Sequence, residues 1–204
     1  GIFYEFIPMD ELGTDNPNIV PLSGVETGVN YAMVISSSCG LWRYMIGDTV
    51  TFTSLSPYRL KITGRTKNYI NAFGEEIIID NAEKAIQEAC RATGAVVQEY
   101  SAGPVYMEGY RKGAHQWVIE FDRAPSDLNL FTETLDNTLR AVNSDYDAKR
   151  YKDTTLSAPI VTPVSKGTFF RWMKQKNKLG GQNKVPRLSN DRTIVDSILA
   201  SSGL

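Results

Sequence analysis

The residues best equipped for chemistry lie between Gly40 and Ile78. Asp48 follows Gly47, whose missing side chain lets the backbone turn tightly and lets a ligand come close. It precedes the alternating run Thr49-Val50-Thr51-Phe52-Thr53. A carboxylate at a strand edge accepts hydrogen bonds from two vicinal hydroxyls, the diol that a ribose offers. Downstream, Gly64-Arg65-Thr66-Lys67 closes the run Tyr58 to Thr63 with a flexible residue, a permanent cation and a second cation beside Asn68. The guanidinium forks onto phosphate or carboxylate, whereas the ammonium is a mobile point charge. That combination suits a charged ligand gripped in one conformation and released in another. Taken singly, Gly47-Asp48 and Gly64-Arg65 are each better read as hairpin turns with solvated charges, because short motifs recur by chance. Their order and spacing shift the balance toward a nucleotide handle joined to a hinge.

Other candidates carry less. His115 is the only histidine, and alternation puts its ring on the face of Trp117, Ile119 and Phe121, the place of a structural histidine rather than a catalytic or metal-binding one. Ser-His and histidine-zinc chemistry are set aside on that ground. Glu75 and Glu76 are adjacent on an extended stretch and point to opposite faces, which reads as solvated charge, not an acid–base pair. Ser36-Ser37-Ser38-Cys39-Gly40 lacks the lysine and following helix of a phosphate loop and is read as a turn. Phe169, Phe170 and Trp172 interleave with Arg171, Lys174 and Lys176 in the manner of an RNA-binding stretch. At helical spacing, however, Phe169, Trp172, Met173 and Lys176 share one side, so a docked amphipathic helix is preferred. Lys184 follows Gly180-Gly181-Gln182-Asn183, a loop able to move and present the ammonium elsewhere.

A sheet and several helices must position these groups. Ile2 to Ile7 is apolar on both faces, which calls for cover on both sides and for neighbours beyond the chain. Asp10 to Asn18 is a polar, turn-forming loop. Val29 to Ser36, Thr49 to Thr53 and Tyr58 to Thr63 are short β-branched and aromatic runs, predicting a compact antiparallel sheet or a small distorted barrel. From Asp80 the period changes. Asp80 and Glu83 form a capping-box-like start, Ala82, Ile86, Ala89, Cys90 and Thr93 share a face, and Gly94 ends the helix. Strands over Ala95 to Tyr106 and His115 to Phe121 follow. Ser126 or Asp127 then caps a helix bearing Leu128, Phe131, Leu135, Leu139 and Val142. Ile160 to Val164 reads as a strand, Gly167 to Lys178 as a basic helix and Arg192 to Ala200 as a terminal helix. The fold class is α+β.

At 204 residues and 42% hydrophobic content the chain has enough to bury a real core, as one large domain or two small ones. The net charge of -1 gives no global field toward nucleic acid or membrane. Locally the residues from Lys166 to Arg187 hold seven Lys or Arg and no acid. The two cysteines, Cys39 and Cys90, form neither a metal spacing nor a disulfide framework, which fits a reducing cytoplasm. No signal segment and no bilayer-length apolar run is present, so neither export nor membrane insertion is expected. A start at Gly1, running at once into an apolar strand, reads as a piece of something longer.

The whole pattern resembles the acyl-adenylate-forming superfamily, and within it the auxin-responsive family of acyl-acid amido synthetases. The residues that carry the resemblance are Phe3-Tyr4-Glu5-Phe6-Ile7-Pro8, Tyr31-Ala32-Met33-Val34-Ile35, Gly40-Leu41-Trp42-Arg43-Tyr44, Gly47-Asp48, Gly64-Arg65-Thr66-Lys67-Asn68 and Gln182-Asn183-Lys184-Val185-Pro186-Arg187. They span nearly the full chain in the family's order.

What the resemblance implies is the C-terminal portion of an ATP- and Mg²⁺-dependent ligase. Such an enzyme activates a small carboxylic acid as its acyl-adenylate, releasing pyrophosphate, and passes the acyl group to an amino acid with release of AMP. Asp48 would hold the ribose, with Arg43, Tyr44, Arg59 and Arg65 shaping or supporting the nucleotide pocket. Lys67 at the hinge and a late mobile lysine, Lys184, would be the catalytic cations. Residues 1–66 would be the β-rich end of the large domain and residues 67–204 a mobile α+β lid, hinged near 65–68 and alternating between adenylation and transfer. The family's phosphate loop, adenine motif and acyl pocket would belong to an N-terminal domain of the parent chain. The isolated chain is therefore expected to be inactive. Two alternatives stay open: a coenzyme A ligase of the same superfamily, and a non-enzymatic module using the basic 166–187 stretch for nucleic acid.

Overall fold

The computed structural model describes residues 1–66, 69–107, 112–151, 155–180 and 183–203. Lys67, Asn68 and Gln182, singled out above, lie outside these residues. The chain divides into two compact units, Gly1–Lys67 and Asn68–Leu204.

The first unit is an antiparallel sheet of five strands: β1 (Ile2–Pro8), β2 (Val20–Pro21), β3 (Asn30–Ser37), β4 (Tyr44–Leu55) and β5 (Tyr58–Arg65), in the order β2-β1-β3-β4-β5. The sheet is open at β2 and β5, so the barrel alternative is not realised. Its core is a cluster of Phe6, Val25, Tyr31, Val50 and Phe52, with the Phe6 and Phe52 rings edge to face at 5.1 Å. Strand β1 is covered only along its second half: Glu5, Phe6 and Ile7 are buried, whereas Ile2, Phe3 and Tyr4 are exposed. The serine run ends β3 in a turn, with the Ser37 N–H donating to Leu41 O at 2.8 Å.

The second unit layers helices on both faces of a three-stranded sheet. Its elements are β6 (Tyr69–Ile70), β7 (Ile77–Ile78), α1 (Ile79–Thr93), β8 (Val96–Val105), β9 (Ala114–Arg123), α2 (Leu128–Val142), α3 (Ser144–Arg150), β10 (Ile160–Val164), α4 (Thr168–Gln175) and α5 (Thr193–Ser202). The sheet order is β10-β9-β8, with β8 antiparallel and β10 parallel to β9, and β6 and β7 form a separate two-stranded hairpin.

Central β9 is buried on both faces. Trp117, Ile119 and Phe121 pack with Ala82, Ile86 and Ala89 of α1 and Phe131, Leu135 and Leu139 of α2. Val118 points the other way, into Phe169, Trp172, Val195 and Ile198 of α4 and α5. The strict alternation expected of one half-buried strand therefore describes only one of its two covered sides. On the far side Glu120 is buried because its carboxylate accepts the Gly167 and Phe169 N–H groups at 2.6 and 3.1 Å, serving the otherwise unpaired start of α4.

The α1 start differs in detail from the sequence reading, and α4 ends at Gln175 rather than Lys178. Helix α1 starts one residue before Asp80, and Asn81 Oδ1 accepts the Ile78 N–H at 3.2 Å. The cap is thus built by Asn81; Asp80 pairs with Lys84 and Glu83 is engaged elsewhere. For α2 the cap is Asp127, which accepts the Asn129 and Leu130 N–H groups. Gly94 ends α1 in the left-handed region at φ 67°, as a residue without Cβ does at no steric cost. No helix among the described residues is long and apolar enough to cross a membrane.

Candidate functional site

Asp48 is held by a distortion of β4, not by the turn that Gly47 suggested. Strand β4 begins at Tyr44, and its pairing with β3 runs unbroken in direction through Gly47 and Asp48. Between the partners Val34–Met45 and Ala32–Thr49, however, β4 advances four residues while β3 advances two. The surplus makes a bulge with Gly47 at φ 86°, a backbone state natural to glycine. A turn and a bulge ask for the same residue, which is why the sequence did not separate them. Bulges re-aim the side chain next to them, and here that side chain is Asp48.

The bulge is pinned from β5. Asp48 lies opposite Arg65, with Nε 3.3 Å from Oδ1. Gly47 O accepts the Thr66 N–H at 2.9 Å. Beside them, Thr63 Oγ1 lies 2.6 Å from Asn30 Oδ1 and 3.0 Å from Thr49 Oγ1, a largely buried row of polar atoms that ties β3, β4 and β5 together. Asp48 and Arg65 themselves stay accessible, with 38% and 62% of their side-chain surface open. A carboxylate so placed can exchange its arginine contact for the hydroxyls of a diol, leaving the guanidinium to an anion.

The other candidates are spread more widely. Arg43 forks onto Glu5 of β1, with Nε–Oε2 3.1 Å and Nη2–Oε1 2.7 Å, and with Ser36 and the exposed Trp42 it lines an open concavity of about 770 Å³. Tyr44 is exposed at the start of β4. Arg59 is exposed opposite Ser54, six residues along β5 from Arg65, which at strand rise is about 20 Å. The sheet thus brings Asp48 and Arg65 together and leaves Arg59 at its other end. In the second unit Lys184 is exposed and lines a groove of about 320 Å³ with Glu99, Glu120, Phe170, Met173 and Lys178.

Three of the seven cations of the basic stretch are committed within their own unit. Lys166 pairs with Asp122 at 2.8 Å, Arg171 donates to Ser165 and Thr168 at the start of α4, and Arg187 pairs with Glu83. Phe169 and Trp172 are in the core, leaving Phe170 exposed, a poor platform for stacked bases.

Glu75 overturns the solvated reading: it is wholly buried, and its Oε1 lies 2.7 Å from His115 Nε2. Its Oε2 accepts the Phe73 N–H at 2.6 Å. The two residues are 40 apart in sequence, so only the fold pairs them. The His115 ring stacks on Tyr146 at 5.6 Å, and no solvent reaches it. The pair is sealed inside one unit and is structural.

No group of three or more His, Cys, Asp or Glu among the described residues is arranged to hold a metal ion.

Comparison with known proteins finds two family domains along the chain. A profile of the GH3 family central domain matches residues 1–65, and one of the GH3 family C-terminal domain matches residues 80–193. The indole-3-acetic acid-amido synthetase GH3.8 of Oryza sativa subsp. indica is 26% identical over 95% of this chain and 34% of its own length. The 4-substituted benzoates-glutamate ligase GH3.12 of Arabidopsis thaliana is 24% identical over 91% of this chain and 35% of its own. Among solved structures, the GH3.15 acyl acid amido synthetase superposes with a TM-score of 0.69 at 19% identity, over 98% of this chain and 36% of that one. The chain therefore spans about a third of the length of these relatives.

Proposed function

Because the chain belongs to the GH3 family, with the central and C-terminal domains of that family both represented, we propose that it forms part of an ATP-dependent ligase that joins a carboxylic acid to an amino acid. The acid's carboxylate attacks the α-phosphorus of ATP, forming the acyl-adenylate and expelling pyrophosphate. The amino acid's amine then attacks the acyl carbon, forming the amide and expelling AMP. The first step needs positioning and neutralisation of charge on phosphate oxygens more than proton transfer; in the second the amine must also give up its proton as the amide forms. The donor set supports that division of labour: one accessible carboxylate for the sugar, cations for the phosphates. Mg²⁺, bound with ATP in the complete ligase, would supply further neutralisation of phosphate charge.

On this reading Asp48 receives the ribose hydroxyls, and Arg65, freed from Asp48, turns to the nucleotide. Arg43 and Tyr44 form more distant walls, and Arg59, at the other end of β5, supports the sheet rather than the pocket. Lys67 and Lys184 are the cations that meet phosphate, and residues 65–68 are the hinge between residues 1–66 and 67–204. The amine acceptor is an amino acid rather than coenzyme A, in keeping with the relatives' names. The parent's remaining parts would include an N-terminal domain, and its setting would be the cytoplasm, where ATP and free amino acids are plentiful.

The observation that carries the proposal is Asp48 on its bulge with Arg65 at 3.3 Å. Its test is carboxylate-dependent ATP–pyrophosphate exchange, followed by identification of the product with amino acids or coenzyme A supplied. In the complete ligase, Asp48→Ala is expected to lower exchange on the order of a hundredfold by misplacing the nucleotide, and amide is expected as the product. Exchange unaltered by the substitution, or a thioester product, would overturn it. The isolated chain is expected to show no exchange.

A further inference from the structure

Lys184 is less free than its glycine-rich approach implies, because the chain is fastened immediately after it. Val185 packs on the apolar cluster of Val118, Phe169 and Trp172. Pro186 O accepts the Ser101 hydroxyl at 2.8 Å. Arg187 O accepts the Ala102 N–H at 2.8 Å, and the Ser189 N–H donates to Ala102 O at 2.9 Å. Between them Leu188 lies parallel to Ala102 and is fully buried. Residues 186–189 thus run along β8 through an isolated parallel bridge.

The side chain of Arg187 locks this segment to a helix as well. Its Nη1 pairs with Glu83 of α1, its Nε is 3.6 Å from Glu99 of β8, and its guanidinium carbon sits 5.2 Å from the centre of the Tyr100 ring. The Tyr100 hydroxyl donates to the same Glu83 oxygen at 3.1 Å. Burial, with Glu83 nearby, holds the Tyr100 hydroxyl protonated well above its usual range, so it remains a donor. Each of these contacts is part-exposed, with 41% of Arg187 and 44% of Glu83 open, and weak taken singly; two carboxylates and an aromatic face together leave the planar fork few alternative poses. Among the described residues Lys184 itself has no ion-pair partner and is exposed.

We propose that Arg187 is the positioning residue for Lys184: by clamping the following segment to α1 and β8, it makes the Lys184 ammonium travel with the second unit as a body. The inference rests on the role given to Lys184 above and deepens it. A lysine on a slack tether samples many positions, whereas one on a fixed pivot is delivered to one. Losing the pivot misplaces the charge without removing it.

The test uses the complete ligase with Lys184→Ala, Arg187→Gln and Glu83→Gln, measuring the adenylation and transfer half-reactions separately and the melting temperature of each variant. Expected is a fall in kcat of adenylation on the order of tenfold to a hundredfold for Arg187→Gln. The KM for ATP should change little, and transfer from supplied acyl-adenylate should be retained. Glu83→Gln should shift the same quantity by less, and it serves if Arg187→Gln does not fold. Wild-type adenylation in both clamp variants, with Lys184→Ala slow, overturns the positioning role alone. Equal slowing of both half-reactions by Arg187→Gln also overturns it, as a general structural effect. Wild-type adenylation in Lys184→Ala removes the role of the lysine and this inference with it.

Discussion

Asp48–Arg65 in the first unit and Glu75–His115 in the second are both acid–base pairs within reach of a hydrogen bond, and they differ in everything around them. The first spans 3.3 Å with 38% and 62% of its side-chain surfaces open; the second spans 2.7 Å with none of Glu75 and 1% of His115 open. An exposed pair contributes at most about 1 kcal/mol, so its partners can be exchanged for a ligand's groups at small cost. A buried pair cannot release either member without stranding the other in an apolar wall. Accessibility, not residue type, separates the pair suited to binding from the pair that holds the fold.

The sharpest way to break this comparison is to remove His115. The Glu75 Oε1 would then lose its partner while buried, keeping only the Phe73 N–H on Oε2, with Asn143 Nδ2 still bonded to its carbonyl at 2.9 Å. Removing one partner of a buried pair costs about 3–5 kcal/mol, and His115→Ala should lower the unfolding free energy of the second unit by that order. Urea unfolding followed by tryptophan fluorescence reports it, because Trp117 and Trp172 are buried whereas Trp42 is 84% exposed. A loss below about 1 kcal/mol would place this pair with the exposed one.

A smaller effect is expected at the wall of the same pocket. A Cβ on Gly113 would meet Phe73 Cζ at 2.4 Å, and Phe73 stands against the His115 ring at 6.2 Å. Gly113→Ala should therefore cost about 1–3 kcal/mol, the usual range for overpacking, in the same urea experiment. A stability equal to wild type would mean that the ring can move aside, and that the enclosure of His115 is looser than its burial indicates.

The contrast between the pairs also marks what the sequence could tell. Period and punctuation showed most of the framework. The change from strand-like to helical spacing near Asp80, the stop at Gly94, the cap at Asp127 and the apolar side of α4 all follow from local rules, and all are found. Hidden were features that depend on neighbours remote in sequence. Glu75 is buried because β9 brings His115 to it. Val118 is buried because α4 and α5 cover the sheet's second face. The five-residue β10 pairs in parallel with β9, an arrangement that no short-range pattern encodes. Helix α3 was missed because Ser-Asp-Tyr-Asp-Ala-Lys-Arg has almost no apolar face; it is held instead by Tyr146 and Arg150, which both reach Asp136 of α2. At the candidate site the residues Asp48 and Arg65 were legible from type and spacing. The bulge that presents them was not, since glycine serves a turn and a bulge alike.

The smallest effect on stability is expected where the largest effect on activity is proposed. Asp48 and Arg65 are both more than one-third exposed, so water already solvates each charge and replaces the contact when it is lost. The backbone bonds that hold the bulge, Thr66 N–H to Gly47 O and the strand pairing on either side, do not pass through the Asp48 side chain. Asp48→Ala should therefore change the unfolding free energy of the first unit by less than about 1 kcal/mol, as read by thermal unfolding, while nucleotide-dependent activity collapses. A cost of several kcal/mol instead would mean that the carboxylate holds β4 against β5 as Glu75 holds the β6–β7 hairpin against β9. The loss of activity would then follow from loss of structure, and the distinction between an accessible pair for binding and a sealed pair for folding would fail at the residue on which it rests.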